Sequence, residues 1–229
     1  MATFADHIIR YNNELHFSGK LPDGFRVLNP FRDNAEVVSV SNAFYNKYYG
    51  DNNRRKFIIG INPGRFGAGV TGIPFTDSKR LEEICGIQIA SVTSHEVSSV
   101  FIYDVINAYG GARQFYNKFY INSIFPLALI RENDKGNWVN CNYYDDKKLF
   151  EALYDDIVSN LKRQIGFGLD TGKCIVLGKK NLKFFEIINK EERLFDTYTM
   201  LEHPRYIEQY KLRDRDKYIE KYITTLQAT

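Results

Sequence analysis

The sequence predicts an α/β protein: a three-layer α/β/α domain built on a central, mostly parallel sheet of four to five strands. Two observations carry that expectation. Short apolar runs without clean alternation recur along the chain, as strands buried on both faces require. Between them lie segments whose apolar residues repeat at helical spacing. Regular alternation of the two kinds of segment argues for parallel strands joined by right-handed helical crossovers.

The predicted strands are residues 56–62 (KFIIGIN), 98–104 (SSVFIYD), 119–125 (FYINSIF) and 173–178 (KCIVLG), with a weaker fifth at 197–202. Helices are expected at 2–18, 34–48, 77–85 and 180–189. Two more have a clear apolar face: Phe150, Leu153, Tyr154, Ile157, Val158 and Leu161 in one, Ile219, Tyr222, Ile223 and Leu226 in the other. The polar run 131–137 (RENDKGN) reads as a surface loop. No linker or repeat divides the chain, and 229 residues suit one domain. Residues 1–229 are therefore expected to form a single domain, with a helical segment of about residues 1–50 packed on it.

Composition excludes some classes and leaves others open. Hydrophobic residues at 44% and charged residues at 26% are ordinary for a globular chain. A net charge of +3 neither demands nor forbids a polyanionic partner. Cys85, Cys141 and Cys174 lie far apart with no C-x-x-C spacing, so neither zinc nor an iron–sulfur cluster is expected. No other metal or cofactor is expected, and the thiols are expected to be reduced. No apolar run reaches the roughly 20 residues of a membrane helix, and the first residues lack a signal-peptide pattern. The expectation is a cytoplasmic protein without a membrane partner, a monomer by default.

The most informative segment follows the first predicted strand: residues 60–75, GINPGRFGAGVTGIPF. Ligands of open parallel sheets bind beyond the carboxyl ends of strands, so this loop begins where a site is expected. Its five glycines let the backbone approach a ligand closely. Gly67-Ala-Gly-Val-Thr-Gly72 fits G-x-G-x-x-G, but that fingerprint should follow a strand directly and open a helix, whereas Pro74 interrupts any helix here. A P-loop is excluded because no Gly-Lys-Ser/Thr follows.

The same stretch resembles a different motif. Gly60-Ile-Asn-Pro-Gly64, then Phe66-Gly67, then Thr71-Gly-Ile-Pro-Phe75 is similar to the first motif of the single-strand-selective monofunctional family in the uracil-DNA glycosylase superfamily. Glu202-His203-Pro204-Arg205 resembles the start of that family's last motif, although the family's Ser-Pro after His-Pro is absent. This difference brings the chain closest to the second, bacterial subfamily. The resemblance spans residues 56–207 through scattered motifs.

The resemblance implies a monofunctional DNA glycosylase that hydrolyses the N-glycosidic bond of uracil, or of a related deaminated or oxidised base, flipped out of DNA. It implies that Asn62 orients water and that His203 supports the leaving base. Phe75 would stack on the base, Asn122 would read its edge, and backbone groups at Ile61 and Gly64 would contact it. With no lysine in these motifs, Schiff-base chemistry and strand cleavage are not expected. Lys179 and Lys180, at the start of a predicted helix, suit a DNA phosphate; Arg205 and Tyr206 suit the groove. Two alternatives stay open: a nucleotide-binding α/β enzyme that uses the glycine loop, and a non-catalytic DNA-binding module of the same fold. The preferred lesion and strand form are not read from the sequence.

Overall fold

In the computed structural model, which describes residues 2–229, the order of elements is as follows. Helix α1 (Phe4–Glu14), strand β1 (Phe25–Leu28), α2 (Pro30–Asp33) and α3 (Ala35–Tyr49) come first. Then come β2 (Arg55–Gly60), α4 (Ala68–Thr71), α5 (Ser78–Glu83), α6 (Val97–Ala108) and α7 (Ala112–Lys118). The middle of the chain forms β3 (Phe119–Ser123), β4 (Ala128–Glu132), β5 (Trp138–Asn140) and α8 (Lys147–Ile165). The last part forms β6 (Leu169–Leu177), α9 (Lys179–Glu192), β7 (Thr197–Leu201), α10 (Pro204–Tyr210) and α11 (Arg215–Gln227).

Several helices start where short polar side chains replace the missing intrahelical partners of the first N–H groups. Thr3 and Asp6 form a reciprocal capping box on α1, Asn34 accepts from the Glu36 N–H on α3, and Asp146 accepts from the Leu149 N–H on α8. β2 and β3 are apolar on both faces because both faces are covered, and Phe57, Ile59 and Tyr120 are fully enclosed.

Four strands form the central sheet, in the order β3-β2-β6-β7, and every neighbouring pair is parallel. From β2 the chain steps to β3 on one side and later to β6 on the other. That reversal opens a crevice at the carboxyl ends of β2 and β6, where ligands of such sheets bind. One apolar core joins the sheet to its helices, running from Phe4 to Leu226. In it, Arg55 is fully buried, stacks between the rings of Phe4 and Tyr49, and is held by Asp51 at 2.9 Å and the Tyr116 carbonyl at 2.7 Å.

Two predicted elements are corrected. Residues 98–104 are helix, the first part of α6, not strand. Ser98, Ser99, Phe101, Ile102, Tyr103, Val105 and Ile106 are all buried, so this helix carries no amphipathic stripe. An apolar run of that kind cannot be told from a buried strand by its periodicity. Residues 131–137 are not simply a loop: they belong to the β4–β5 hairpin, whose turn runs through Asn133 and Gly136. With β1, which the sequence reading missed, they form a separate antiparallel sheet in the order β1-β4-β5. The central sheet thus has four strands, and the weaker fifth candidate at 197–202 supplies one of them, β7. No helix among the described residues is long and apolar enough to cross a membrane.

Candidate active site

The ladder between β2 and β3 continues past β2: Gly60 and Ile61 accept from the N–H groups of Ile124 and Phe125. This carries the next residue, Asn62, to the mouth of the crevice. Its amide is locked. Oδ1 accepts the Tyr143 N–H at 3.1 Å, and Nδ2 donates to the Cys141 carbonyl at 3.1 Å and the Pro63 carbonyl at 3.3 Å. A carbonyl oxygen has two lone pairs, so Oδ1 keeps one for a ligand. The lock itself is anchored deeper. Tyr143 donates its hydroxyl to Asn181 Oδ1 at 2.8 Å. The buried Asn181 Nδ2 in turn lies 3.2 Å from the carbonyls of Ile59, Gly60 and Leu177, fastening the ends of β2 and β6 to each other.

His203 follows β7 and caps α10. Its Nδ1 accepts the Arg205 N–H at 3.2 Å, which requires the ring proton on Nε2. Burial, with the nearby Arg205 charge, lowers its pKa to about 3. The imidazole is therefore neutral at physiological pH and offers an Nε2–H. Gly178, at φ +98°, lets the β6–α9 turn pass close behind it, since a Cβ there would lie 3.3 Å from that of His203.

Phe75 closes the glycine loop. Its φ of +54° is a left-handed conformation that bulky side chains rarely adopt. The loop enforces it: the Thr71 hydroxyl donates to the Thr76 carbonyl at 2.6 Å. The ring stands 5.8 Å from that of His203 and packs on Gly60, where a Cβ would come within 3.1 Å of it.

These groups share one cavity of about 250 Å³. Of the sequence-predicted residues, Asn62, His203, Phe75, Ile61, Gly64, Arg205 and Tyr206 all line it. Arg205 and Tyr206 are exposed at the rim, and Tyr206 packs on Tyr210 with ring centroids 5.6 Å apart. Lys179 and Lys180 are exposed beyond the wall. Lys180 is engaged, 3.4 Å from Asp145 and 4.6 Å from the centre of the Tyr144 ring.

Asn122 is not in the wall of this cavity. It lies behind the cavity, in a small adjoining recess with Pro63, Ala68 and Pro74. Its Nδ2 donates to the Tyr120 hydroxyl at 2.6 Å, and its Oδ1 accepts the Ser123 N–H at 2.8 Å. Its Nδ2 keeps a second hydrogen and its Oδ1 a second lone pair, and the next residue, Ser123, lines the cavity wall.

The sequence reading also missed Asn140, Cys141, Asn142 and Tyr144, which enter from the end of β5 and the segment after it, and Glu96 and Ser98, from the start of α6. Burial raises the Glu96 carboxyl to about 7, against the opposing pull of Arg205. The Cys141 thiol is likewise pushed up to about 12 by burial, so it remains protonated and unreactive.

A parallel sheet with a cavity at its switch point, holding a fixed amide, a neutral imidazole and an aromatic ring, defines an α/β protein with its candidate site at the carboxyl ends of the strands. The family model of the uracil DNA glycosylase superfamily matches residues 47–227, and the chain belongs to that superfamily. Among solved structures it is similar to wild-type Pedobacter heparinus SMUG2, with 47% identity and a TM-score of 0.96, over 100% of this chain and 98% of that one. It is a SMUG-like member of the superfamily. Comparison with curated proteins gives no match.

Proposed function

We propose that this protein is a monofunctional DNA glycosylase of base excision repair, releasing uracil or a related deaminated or oxidised base from DNA by hydrolysis. The observation that carries the proposal is the locked Asn62 amide sharing a cavity with the neutral His203 and with Phe75. Family membership and the similarity to a protein named SMUG2 support it.

In this reading the damaged nucleotide leaves the stack and its base enters the cavity against Phe75. The bond from the sugar C1′ to the base nitrogen breaks with its electron pair leaving on the base. Positive charge grows on the sugar and negative charge on the base. The His203 Nε2–H donates a hydrogen bond to a carbonyl oxygen of the departing base. A neutral donor placed in advance does this without a change of protonation. Asn62 Oδ1 holds the water whose oxygen joins C1′. An amide is a weak base, so it orients the water and leaves its proton to solvent. Arg205 and Tyr206 take the groove at the rim, with Lys179 on the flank. Asn122, in the adjoining recess, reads the edge of the base.

The test is base release from oligonucleotides carrying a single uracil, 5-hydroxymethyluracil, xanthine or hypoxanthine, with abasic sites revealed by alkali. Release with no borohydride-trappable covalent adduct agrees with monofunctional hydrolysis. Absence of release from every substrate contradicts the proposal.

A further inference from the structure

Two polar atoms in the cavity wall have no hydrogen-bond partner within the protein: Glu96 Oε2 and Ser98 Oγ. Ser98 is 1% exposed, so an unsatisfied hydroxyl there carries a desolvation cost. The two residues stand at the start of α6, a twelve-residue helix with no side-chain cap. The Glu96 backbone N–H is taken by Asp77 Oδ2 at 2.9 Å, and that carboxylate is in turn held by Ser99 at 2.6 Å and Arg80 at 3.3 Å. The side chain of Glu96 is left free to face inward. The glycine loop makes room for it, since a Cβ on Gly67 would overlap its carboxyl group. Arg205 lines the same cavity.

Each of these groups is a donor or a source of positive potential. The Ser98 hydroxyl donates. So does a Glu96 carboxyl that holds its proton to about pH 7, and Arg205 favours negative charge. We infer that Glu96 and Ser98 form a second polar subsite of the cavity, one that grips an acceptor oxygen of the extruded nucleotide, on its base or on its flanking phosphodiester. This rests on the glycosylase reading, which supplies the extruded nucleotide.

The experiment measures affinity by fluorescence anisotropy for an oligonucleotide carrying hydrolysis-resistant 2′-fluoro-deoxyuridine. Base release by the wild-type protein is followed alongside. Ser98→Ala and Glu96→Leu are expected to weaken binding about tenfold each, the loss of one hydrogen bond to a buried partner. Glu96→Gln, a neutral side chain that still donates, keeps wild-type affinity. Gly67→Ala, which displaces the carboxyl group without changing it, reproduces the Glu96→Leu loss. Melting temperatures identify any variant that loses affinity by unfolding. A methylphosphonate beside the lesion separates the two oxygens: the losses vanish on it if the subsite holds phosphate, and persist if it holds the base. Wild-type affinity in Ser98→Ala and Glu96→Leu alike overturns the subsite. A wild-type protein that binds this DNA and releases no base from uracil DNA contradicts the glycosylase reading instead.

Discussion

The backbone N–H of Tyr143 donates to Oδ1 of Asn62 at 3.1 Å, across 81 residues of chain. Through this bond the segment after the β4–β5 hairpin sets which way the Asn62 amide points. With Nδ2 on the Cys141 carbonyl, a flipped amide would set like against like on both sides. The oxygen that faces the cavity is therefore fixed before any substrate arrives.

That fixed oxygen makes Asn62 the residue whose loss costs most. Asn62→Ala is expected to lower single-turnover base release by at least about 10²-fold, as removal of one preorganised polar group does elsewhere. The fold should be kept, with a lowered melting temperature from the lost bonds to Tyr143 and Cys141.

Tyr143→Phe tests the anchor behind the lock. It leaves the buried Asn181 Oδ1 without its donor while keeping the backbone bond to Asn62. The expected cost is about 1–3 kcal/mol in denaturant unfolding, with base release reduced less than in Asn62→Ala.

His203 makes a prediction about pH. Its pKa is lowered from 6.5 to about 3, so it is neutral throughout the range in which the protein is assayed. The rate of base release should show no His203 ionisation near pH 6.5. A histidine working in its charged form would instead lose activity as pH rises through that value. His203 also affects stability. Between about pH 6.5 and 3 the unfolded chain binds a proton that the native one refuses, so its contribution is lost as pH falls.

Glu96 runs in the opposite direction. Its carboxyl is raised from 4.5 to about 7 by burial, with Asp77 adding to the shift and Arg205 opposing it. His95 and Arg80 also sit on Asp77. Over that interval the native state holds a proton the unfolded chain has released, so stability falls as pH rises from about 4.5 to 7. The penalty, up to about 3 kcal/mol at 1.36 kcal/mol per pKa unit, then persists at higher pH. Glu96→Gln should therefore raise the melting temperature at pH 8 and leave it nearly unchanged at pH 4.

Arg205 is the exposed cation on the cavity wall. Arg205→Ala is expected to weaken DNA binding at low salt and to reduce the slope of log K against log salt by about 1. Lys180→Ala should change it less, since Asp145 already engages that charge.

How much was legible in the sequence follows from the range of the interactions. Asn62 and His203 sit just beyond strand ends and Phe75 closes the glycine loop; the motifs that resemble the family made all three readable as residues of one cavity. The strands β2, β3 and β6 were readable from continuous apolar runs. Glu96 and Ser98 were hidden because the buried helix beside them has no polar face, and its apolar residues pass for a strand. The Asn140–Tyr144 segment was hidden for another reason. Its bonds to Asn62 span 79 and 81 residues, and nothing in its local composition marks them. Asn122 was legible as a strand residue near the site, but the hydrogen bonds that orient its amide, to Tyr120 and Ser123, are not visible in spacing.

The central claim is that the locked Asn62 amide drives hydrolytic loss of a base from DNA. The most direct measurement is single-turnover release of uracil from a labelled oligonucleotide by wild-type protein and by Asn62→Ala. The account predicts release by the wild type and a loss of at least about 10²-fold in the variant, with DNA affinity retained. Equal rates for the two proteins would contradict it.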